Sequence, residues 1–357
     1  MSLARMLLVI ALGCACWGAA ATPAAAWDFQ LGMGDQQSRM FDDPRFERLG
    51  FEHARVVTPY DVVCRPDAEQ QYYLDVWLSK ARQAEVRPLV AFSFSMREGQ
   101  RWKLPSYGTF LRCFRAFRKR YPQVMDFNPW NEANHSSQPT FRHPKKAAGF
   151  YNAMRRACPR CNVAAGDLLD WANLPRWLAR YRPHLRGKVR LWSMHNYLDV
   201  NRQRSWEQSD TRLMLSLTRG HLWITETAGV VHSGRYSRYS EARAAAATKR
   251  IFRFGAASAR ITRVYAYHWQ APCDTDRWDS AWFRADGSAR PAYRVLVSKI
   301  SRQWGLGRAA TAALNPPVSP GMYDACADEQ RQESEQQDEL AAPDLGLLPD
   351  GPLPNGS

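Results

Sequence analysis

The 357-residue sequence has no long apolar run beyond its first 26 residues, which excludes a protein with several membrane spans. It also lacks the bias of disordered or collagen-like chains, because 45% of its residues are hydrophobic and 12% are aromatic. It has no phosphate-binding loop and no basic stripe interleaved with aromatic residues, so nothing points to specific recognition of nucleic acid. What remains is a globular chain long enough to bury a large core.

The N-terminal residues follow the order of a secretory signal peptide. Arg5 precedes an apolar stretch over residues 6–22, and the small-residue run 23–26 ends in Ala26. The apolar stretch is shorter than a comfortable membrane span, so cleavage near Ala26 is favoured over an uncleaved anchor. We therefore expect residues 1–26 to be a signal peptide. The mature chain, without a transmembrane domain, is expected to be secreted or associated with the cell envelope.

Cysteines are few, and the leader holds two of the eight. The six that remain are an even number, which in an exported chain favours disulfides over metal ligation. Cys158 and Cys161 form a single C-x-x-C pair with no second pair and no spaced histidines. A local disulfide is therefore favoured over a zinc site, and we expect no metal and no cofactor. Six cysteines allow fifteen pairings; a Cys273–Cys326 pair would attach the C-terminal tail to the body.

Acidic residues are scarce outside the C-terminal tail. Residues 322–357 hold nine acids and one arginine, whereas residues 27–321 hold 47 basic and 25 acidic residues, a net charge of about +22. Such a charge would attract acidic polymers, including an anionic polysaccharide, nucleic acid or an anionic envelope. The alternative is compositional drift, because 41 of the 49 basic residues are arginine and they are spread along the chain. The sequence leaves both interpretations open.

Short β-rich runs alternate with longer segments of helical period from Trp27 onward, which is typical of α/β proteins with parallel strands. Eight alternations over residues 27–307 predict a single (β/α)8 TIM-barrel domain, since such barrels have roughly 250 residues. After Gly307 the composition loses its apolar period, which predicts a disordered, low-complexity acidic tail over residues 308–357. The predicted strands are 28–33, 53–58, 87–93, 124–130, 162–166, 189–195, 221–226 and 261–269. The main predicted helices are 68–84, 107–121, 145–157, 171–181, 241–255 and 292–304.

Two glutamates close predicted strands at the same end of the barrel. Glu132 follows the fourth strand and Glu226 ends the seventh, 94 positions later, while His195 on the sixth strand keeps the same phase. Taken singly, each glutamate would more often be a satisfied strand-end acid or a helix cap. Chemistry in such barrels lies at the C-terminal ends of the strands. We therefore expect the three side chains to converge on one catalytic pocket.

Several segments resemble the signatures of glycoside hydrolase clan A, the retaining (β/α)8 hydrolases. Trp130-Asn131-Glu132 resembles the acid/base motif of that clan, and Trp223-Ile224-Thr225-Glu226 resembles its nucleophile motif. The segment 49–56 resembles the second strand, where an arginine supports the nucleophile, and residues 195–197 and 267–269 resemble the sixth and eighth strand ends. The motif set is typical of the clan and not of one family within it.

The resemblance covers residues 28–304 and implies a role for each matching side chain. Glu226 would be the nucleophile, held ionised by the opposite charge of Arg55, and Glu132 would be the acid/base that starts out protonated. Asn131 would donate to the sugar 2-hydroxyl, a contact that strengthens in the transition state. Many clan members have proline after the acid/base, whereas Ala133 stands here, so the specificity of one family is not transferred.

Three further side chains complete the predicted site. Tyr197 is a candidate hydrogen-bond partner of Glu226, and His195 is a candidate partner of the substrate or of the acid pair. A strand-end His-x-Tyr could equally be a satisfied polar pair. Trp269 is the best candidate for the floor beneath the cleaved sugar, because flat apolar sugar faces pack on indole rings. Trp171, Trp278 and Trp282 fall in predicted loops and are candidate subsites.

These features favour a secreted, monomeric retaining β-glycoside hydrolase whose substrate is a polysaccharide or oligosaccharide. The first alternative is a catalytically silent barrel that binds glycans, although such a binder has no need of two close carboxylates. The second alternative is a scaffold on acidic polymers or membrane surfaces, for which the positive body would be the function.

Overall fold

The computed structural model describes residues 27–234, 237–273 and 278–316, over which strands alternate with helices. The predicted signal peptide, Cys326 and the chain beyond residue 316 lie outside the described residues. Within the described ranges, nine strand segments are parallel to their neighbours. They are β1 (Gln30–Gly34), β2 (His53–Pro59), β3 (Arg87–Ser93), β4 (Asp126–Asn128), β5 (Asn162–Val163), β6 (Ala165–Leu169), β7 (Leu191–His195), β8 (His221–Thr227) and β9 (Ile261–Tyr267).

The strands form one sheet that curls into a nearly closed barrel. Its order is β5-β4-β3-β2-β1-β9-β8-β7-β6. Only Ala164 separates β5 from β6, so the two ends of this order belong to a single passage of chain. The sheet therefore returns to itself, and a parallel barrel-like sheet with helices around it fits the predicted (β/α)8 fold.

Helices cover the outer face of the sheet. They are α1 (Pro44–Arg48), α2 (Ala68–Gln83), α3 (Tyr107–Arg120), α4 (Pro144–Ala157), α5 (Leu174–Tyr181), α6 (Tyr197–Asn201), α7 (Asp210–Leu217), α8 (Glu241–Ala256), α9 (Pro291–Gln303) and α10 (Arg308–Ala313). Short 3-10 turns add Ser38–Asp42 and Arg182–His184. Among the described residues, no helix combines the length and the apolar character needed to cross a bilayer.

Several element boundaries differ from the sequence predictions. The fourth strand, predicted over 124–130, is confined to β4. Pro129, which follows it, has no backbone N–H for the ladder, and the Asn131 N–H donates to the Phe92 carbonyl on β3. The fifth strand, predicted over 162–166, continues through β6 to Leu169 around a bulge. The described structure also continues beyond Gly307, where the tail was predicted to begin. Helix α10 follows that glycine, and the Leu314 carbonyl after the helix accepts a hydrogen bond from the Tyr293 hydroxyl, which ties this segment to α9.

Helix α3 shows how the sequence specifies the outer layer. The Ser106 side chain accepts from the backbone N–H of Thr109 at 3.0 Å, which caps the helix start. Phe110, Phe114 and Phe117 recur at helical spacing and are buried. Their rings lie 5.1–6.2 Å from the Phe92 ring on β3, so apolar periodicity on the helix docks it onto the apolar face of the sheet.

A separate small cluster fills the inside of the barrel. It contains Leu89, Ala164, Trp223 and Tyr265. A Cβ at Gly32 would lie 2.7 Å from the Tyr265 ring, so only glycine on β1 lets that ring occupy the barrel interior. The filled interior closes the lower part of the barrel and leaves the polar strand ends as the floor of an upper cavity.

Two disulfides are present in the described part of the chain. Cys64–Cys113 joins the segment after β2 to α3 across 49 positions, and Cys158–Cys161 closes the connection between α4 and β5 across three positions. The second is the local bridge that the C-x-x-C spacing predicts. The expected Cys273–Cys326 pair falls outside the described residues because Cys326 does.

We expect the two disulfides to differ in their effect on stability. Closing a loop of 49 residues restricts the unfolded chain far more than closing one of three. The double variant C64A/C113A should therefore lower the free energy of unfolding by roughly 2–4 kcal/mol, and the matched variant C158A/C161A by less than about 2 kcal/mol. Guanidinium unfolding followed by circular dichroism measures both, and equal losses would contradict the expectation.

Candidate active site

Polar side chains from five strand ends meet in one upper pocket of the barrel. The sheet register aligns them: Gly34 pairs with Arg55 on one side and with Tyr267 on the other, and His195 pairs with Glu226. Because all strands run parallel, their C-terminal ends share one face. The pocket therefore contains the residues that the repeat length of the sequence places at the same end of successive strands.

The Arg55 guanidinium lies at the centre of the polar contacts in this pocket. It is buried on β2 and forms an ion pair with Glu226. Its second terminal nitrogen donates to Asn131 Oδ1 at 2.7 Å and to Asp167 Oδ2 at 2.9 Å. Burial opposes the charge, but Glu226 and Asp167 outweigh it and raise the pKa of Arg55 above its usual range. The arginine is therefore a permanent cation that orients three acceptors.

Glu226 lies deep in the pocket, with its side chain 9% exposed. Besides the Arg55 ion pair, its Oε2 accepts a hydrogen bond from the Tyr197 hydroxyl at 2.8 Å. Burial, followed by the charge of Glu226, raises the pKa of Tyr197 well above its usual range, so the phenol stays protonated and donates. The expected pairing of Tyr197 with Glu226 is present in the structure.

His195 lies between the carboxylates. Its Nδ1 is 3.3 Å from Glu132 Oε1 and 3.4 Å from Glu226 Oε2, and its Nε2 is 3.3 Å from Asp167 Oδ1. Burial lowers the pKa of His195, but the charges of Glu226 and Asp167 outweigh burial and raise it to about 10. The Arg55 guanidinium is 3.4 Å from Nε2. The neighbouring carboxylates therefore favour the protonated imidazole.

Asp167, which directly follows the fifth predicted strand, also takes part in this network. It is fully buried, and its Oδ1 accepts from the Thr225 hydroxyl at 2.5 Å. Burial opposes ionisation, but Arg55 and His195 lower the pKa of Asp167 to about 2. Its φ of 62° follows a φ of 104° at Gly166, at the bulge of β6. That bulge turns the carboxylate into the barrel.

Glu132 occupies the rim of the pocket, with its side chain 21% exposed. Its φ of 49° lies in the left-handed region, which is unusual for glutamate. Two neighbours hold this turn: Trp130 is buried and stacks against Phe150, and the Asn134 amide exchanges two hydrogen bonds with the backbone of Leu169 at 2.8 and 2.9 Å. The strained residue is therefore fixed from both sides.

Glu132, His195 and Glu226 come close together. One ligating atom of each lies within 4.8 Å of the others, a spacing that a metal ion could bridge. A ligating imidazole must be neutral, however, whereas the charges of Glu226 and Asp167 favour the protonated imidazole of His195, so a metal would have to displace that proton. Arg55 also already compensates the Glu226 charge. The donor set therefore fits a charge-paired acid site better than a metal centre.

The structure does not bring Trp269 to the pocket, which corrects its expected place beneath the sugar. Its ring is 2% exposed and packs on Phe46 and Phe283, and its indole N–H donates to Asp43 at 3.0 Å. β9 ends at Tyr267, so this residue supplies the strand-end aromatic ring. Burial raises the pKa of Tyr267, and the negative charges of Glu226 and Glu132 raise it further.

The three candidate subsite tryptophans differ in position. Trp278 lies 5.2 Å from the Tyr197 ring, and Trp171 lies 4.5 Å from His135, the neighbour of Glu132. Trp171 is 38% exposed, so its ring is accessible beside the acid. Trp282 is buried and belongs to the core. Two of the three therefore flank the pocket.

Replacing Asp167 by asparagine should lower the pKa of His195 by about 1–3 pH units, because it removes one of the two anions that hold the imidazolium. Titration of the ¹⁵N-labelled imidazole by NMR measures this pKa. The matched variant is Asp170→Asn, also buried, whose carboxylate accepts from the backbone of Asp199 instead. An unchanged His195 pKa in Asp167→Asn, or an equal drop in both variants, would contradict the network.

Protonation of the His195 imidazole also affects the free energy of unfolding, and the direction of this effect with pH follows from the raised pKa. The pKa of His195 is higher in the folded chain, so its stabilising contribution is complete below about pH 6.5 and is lost as the pH rises through about 10. The loss of unfolding free energy over this window should be smaller in Asp167→Asn than in Asp170→Asn.

Comparisons with known proteins show the fold. No protein-family model matches the sequence, and no curated protein matches it. Among solved structures, a family 39 glycoside hydrolase from Bacteroides cellulosilyticus aligns with a TM-score of 0.52 at 15% identity, over 78% of this chain. This chain covers 64% of that protein, just under two thirds of its length.

Two other structures align over longer shares of their own chains. GH5_18 from Streptomyces cattleya has a TM-score of 0.54 at 15% identity, covering 89% of this chain and 97% of that one. A glucosidase from Croceicoccus marinus has a TM-score of 0.57 at 11% identity, covering 79% and 67%. The expected resemblance to the fold of glycoside hydrolase clan A is thereby confirmed, with no single family assigned.

Proposed function

We propose that the protein is a secreted retaining β-glycoside hydrolase. The observation that carries this proposal is the meeting of Glu132 and Glu226, whose nearest ligating oxygens are no more than 4.8 Å apart in one pocket. Retaining enzymes hold their two carboxyl groups about 5–5.5 Å apart, whereas inverting enzymes leave roughly 6.5–9.5 Å for a water molecule. The short separation supports the retaining geometry.

Glu226 is the proposed nucleophile. It is the more buried of the two glutamates, and Arg55 and Tyr197 hold its two oxygens. These contacts fix the direction of the Glu226 carboxyl group. In the first step a Glu226 oxygen attacks the anomeric carbon as the bond to the leaving oxygen breaks, which gives a covalent glycosyl ester.

Glu132 is the proposed acid/base because of its place on the rim of the pocket. Its side chain is 21% exposed and that of Glu226 is 9% exposed, so Glu132 lies on the side from which the leaving group would depart. In this role Glu132 donates a proton to the leaving oxygen and then takes one from the water that releases the sugar.

Neighbouring groups would bind the sugar. Asn131 Oδ1 accepts from Arg55, which leaves the Nδ2 donors for the sugar 2-hydroxyl. Tyr267 and Trp278 would supply apolar ring faces beside the cleaved sugar, and Trp171 one beside the leaving group. Among carbohydrates, the net positive charge of the body favours an anionic polysaccharide.

Location and assembly complete the proposal. The two disulfides support folding in an oxidising compartment, which agrees with the signal-peptide pattern of residues 1–26. We propose that the chain acts as a monomer, because all the polar groups of the pocket come from one barrel. The solved structures that share the fold include a xylanase and a mannosidase, which supports a glycosidase.

The two glutamates should respond differently to replacement and to azide. Glu226→Ala should lose at least about 10³-fold in turnover of aryl β-glycosides, because the attacking atom is gone. Azide should then attack from the vacated side and give the inverted glycosyl azide. Glu132→Ala should lose about 10²–10⁴-fold, and azide should give the retained product. Product anomers are read by proton NMR.

Glu207→Ala is the control, since that exposed glutamate lies outside the pocket. Full activity of Glu226→Ala, or inverted hydrolysis products from the unaltered enzyme, would contradict the proposal.

A further inference from the structure

Charge is distributed unevenly around the barrel. Residues 27–100 contain twelve acids and nine bases, whereas residues 101–198 contain four acids and nineteen bases. A uniform drift of composition toward arginine would enrich both segments alike. The positive charge is instead concentrated in the segment that runs from the loop before α3 to the end of β7.

All four acids of this segment lie inside the barrel or at its upper pocket. Asp126, Asp167 and Asp170 are fully buried on strands or strand ends, and Glu132 is the rim carboxyl. Apart from Glu132, the helices and loops of residues 101–198 therefore present only cations among their charged side chains. We call this surface, from α3 to the 3-10 turn after α5, the basic wall.

A groove runs along the basic wall between α3, α4 and the turn that follows α5. Its main part has a volume of about 810 Å³ and is lined by Lys145, Arg155, Arg156 and Arg186. A second part of about 460 Å³ continues from it and adds Arg142, Lys146 and Arg180. Leu111, Gly149 and Ala153 lie between the cations and give the groove a small apolar floor.

The cations of the groove are free to meet an outside partner. Lys145, Arg156 and Arg186 are exposed, and within the described ranges none of them forms an ion pair with an acid. Helices begin at the barrel face where strands end, so the groove entrance at Tyr107 and Lys145 lies at the same face as Glu132. A chain bound along the wall could thus extend toward the catalytic pocket.

We propose that this groove is a binding site for an acidic polysaccharide, separate from the catalytic pocket. Carboxylate or sulfate groups along the polymer would pair with Lys145, Arg156 and Arg186, and the sugar rings would rest on the small apolar floor. The site would hold the enzyme on a charged polymer whether or not a bond is cleaved. It goes beyond the proposed hydrolase activity and does not depend on it.

The aromatic content of the groove argues against single-stranded nucleic acid, which stacks successive bases on several aromatic rings. Among the described residues that line the groove, Tyr107 supplies the one Phe, Tyr or Trp ring. That ring sits over Gly149, where an added Cβ would lie 2.0 Å from it, and Lys146 Nζ lies 4.8 Å from its centre. The groove therefore offers many cations but no row of rings for bases.

The test measures binding by calorimetry in an inactive Glu226→Gln background, so that no ligand is hydrolysed. The probes are polygalacturonate for carboxylates, dextran sulfate for sulfates, neutral dextran, and a single-stranded DNA of equal charge. The groove variant is Lys145→Ser with Arg156→Ser and Arg186→Ser. Its matched control is Lys249→Ser with Arg253→Ser and Arg302→Ser, which removes the same charges from exposed positions on α8 and α9.

We expect polygalacturonate, dextran sulfate or both to bind, with log affinity falling as log salt rises. The groove variant should weaken that binding by about tenfold or more at about 50 mM salt, and the control by less than about twofold. Neutral dextran should not bind this site. Equal losses in both variants, unchanged binding in the groove variant, or tighter binding of the DNA would overturn the proposal.

A second measurement needs no groove variant. Bound acidic polymer should slow acetylation of Lys145 and Lys146, read by mass spectrometry, and should leave Lys249 unaffected. Equal protection of all three lysines would also overturn the proposal. Both acidic probes have α-glycosidic bonds, so their binding tests the groove and not the proposed β-glycoside hydrolase. Binding of these polymers by an unaltered chain that does not turn over aryl β-glycosides would count against the proposed enzyme and leave the groove standing, whereas turnover of aryl β-glycosides without groove protection would do the reverse.

Discussion

The ion pairs of one buried arginine organise the whole upper pocket. Arg55 contacts Glu226, Asn131 and Asp167 from the inside of the barrel. A buried guanidinium is strongly unfavourable without partners, so each of these side chains is needed where it stands. His195 adds contacts to Glu132, Asp167 and Glu226. Two otherwise similar glutamates thus differ in their surroundings, because Glu226 pairs with Arg55 deep in the pocket and Glu132 lies on the rim.

Local backbone irregularities place these charges. A regular β6 would alternate its side chains and would not bring Asp167 to Arg55, but the bulge at Gly166 and the left-handed φ of Asp167 do so. Glu132 adopts a left-handed φ as well. Such conformations cost about 1–3 kcal/mol each and persist only where neighbours determine them. Here the buried Trp130 and the Asn134 amide supply that support.

The sequence was sufficient for the parts of the site that follow from regular geometry. Strand period and repeat length put Glu132, His195 and Glu226 at the same end of a parallel barrel, and the structure brings them together. No charge partner could be assigned to Asp167 from the sequence, because a one-residue bulge changes which way its side chain points, and periodicity contains no sign of a bulge. Trp269 was misplaced because an indole in the core and an indole beneath a sugar look alike in sequence. Only the end of β9 at Tyr267 separates them.

The uneven distribution of charge around the barrel could likewise be predicted only in part from the sequence. The linear sequence reveals an excess of arginine but not that the acids of residues 101–198 all lie inside the barrel. Once the strands are known to turn those acids inward, the remaining cations share one outer wall. The same barrel thus has paired charges in its interior and an excess of cations on one outer wall, and we propose bond cleavage for the first and attachment to a polymer for the second.

The most direct measurement is to trap the attacking residue. A panel of dinitrophenyl 2-deoxy-2-fluoro-β-glycosides forms a glycosyl ester that breaks down slowly, and mass spectrometry of the digested protein locates it. If Arg55 holds Glu226 as the nucleophile, the added mass appears on the peptide that contains Glu226, and it still appears in Glu132→Ala because the activated leaving group needs no proton. A label on Glu132 or Asp167, or turnover that inverts the sugar without any label, would contradict the account.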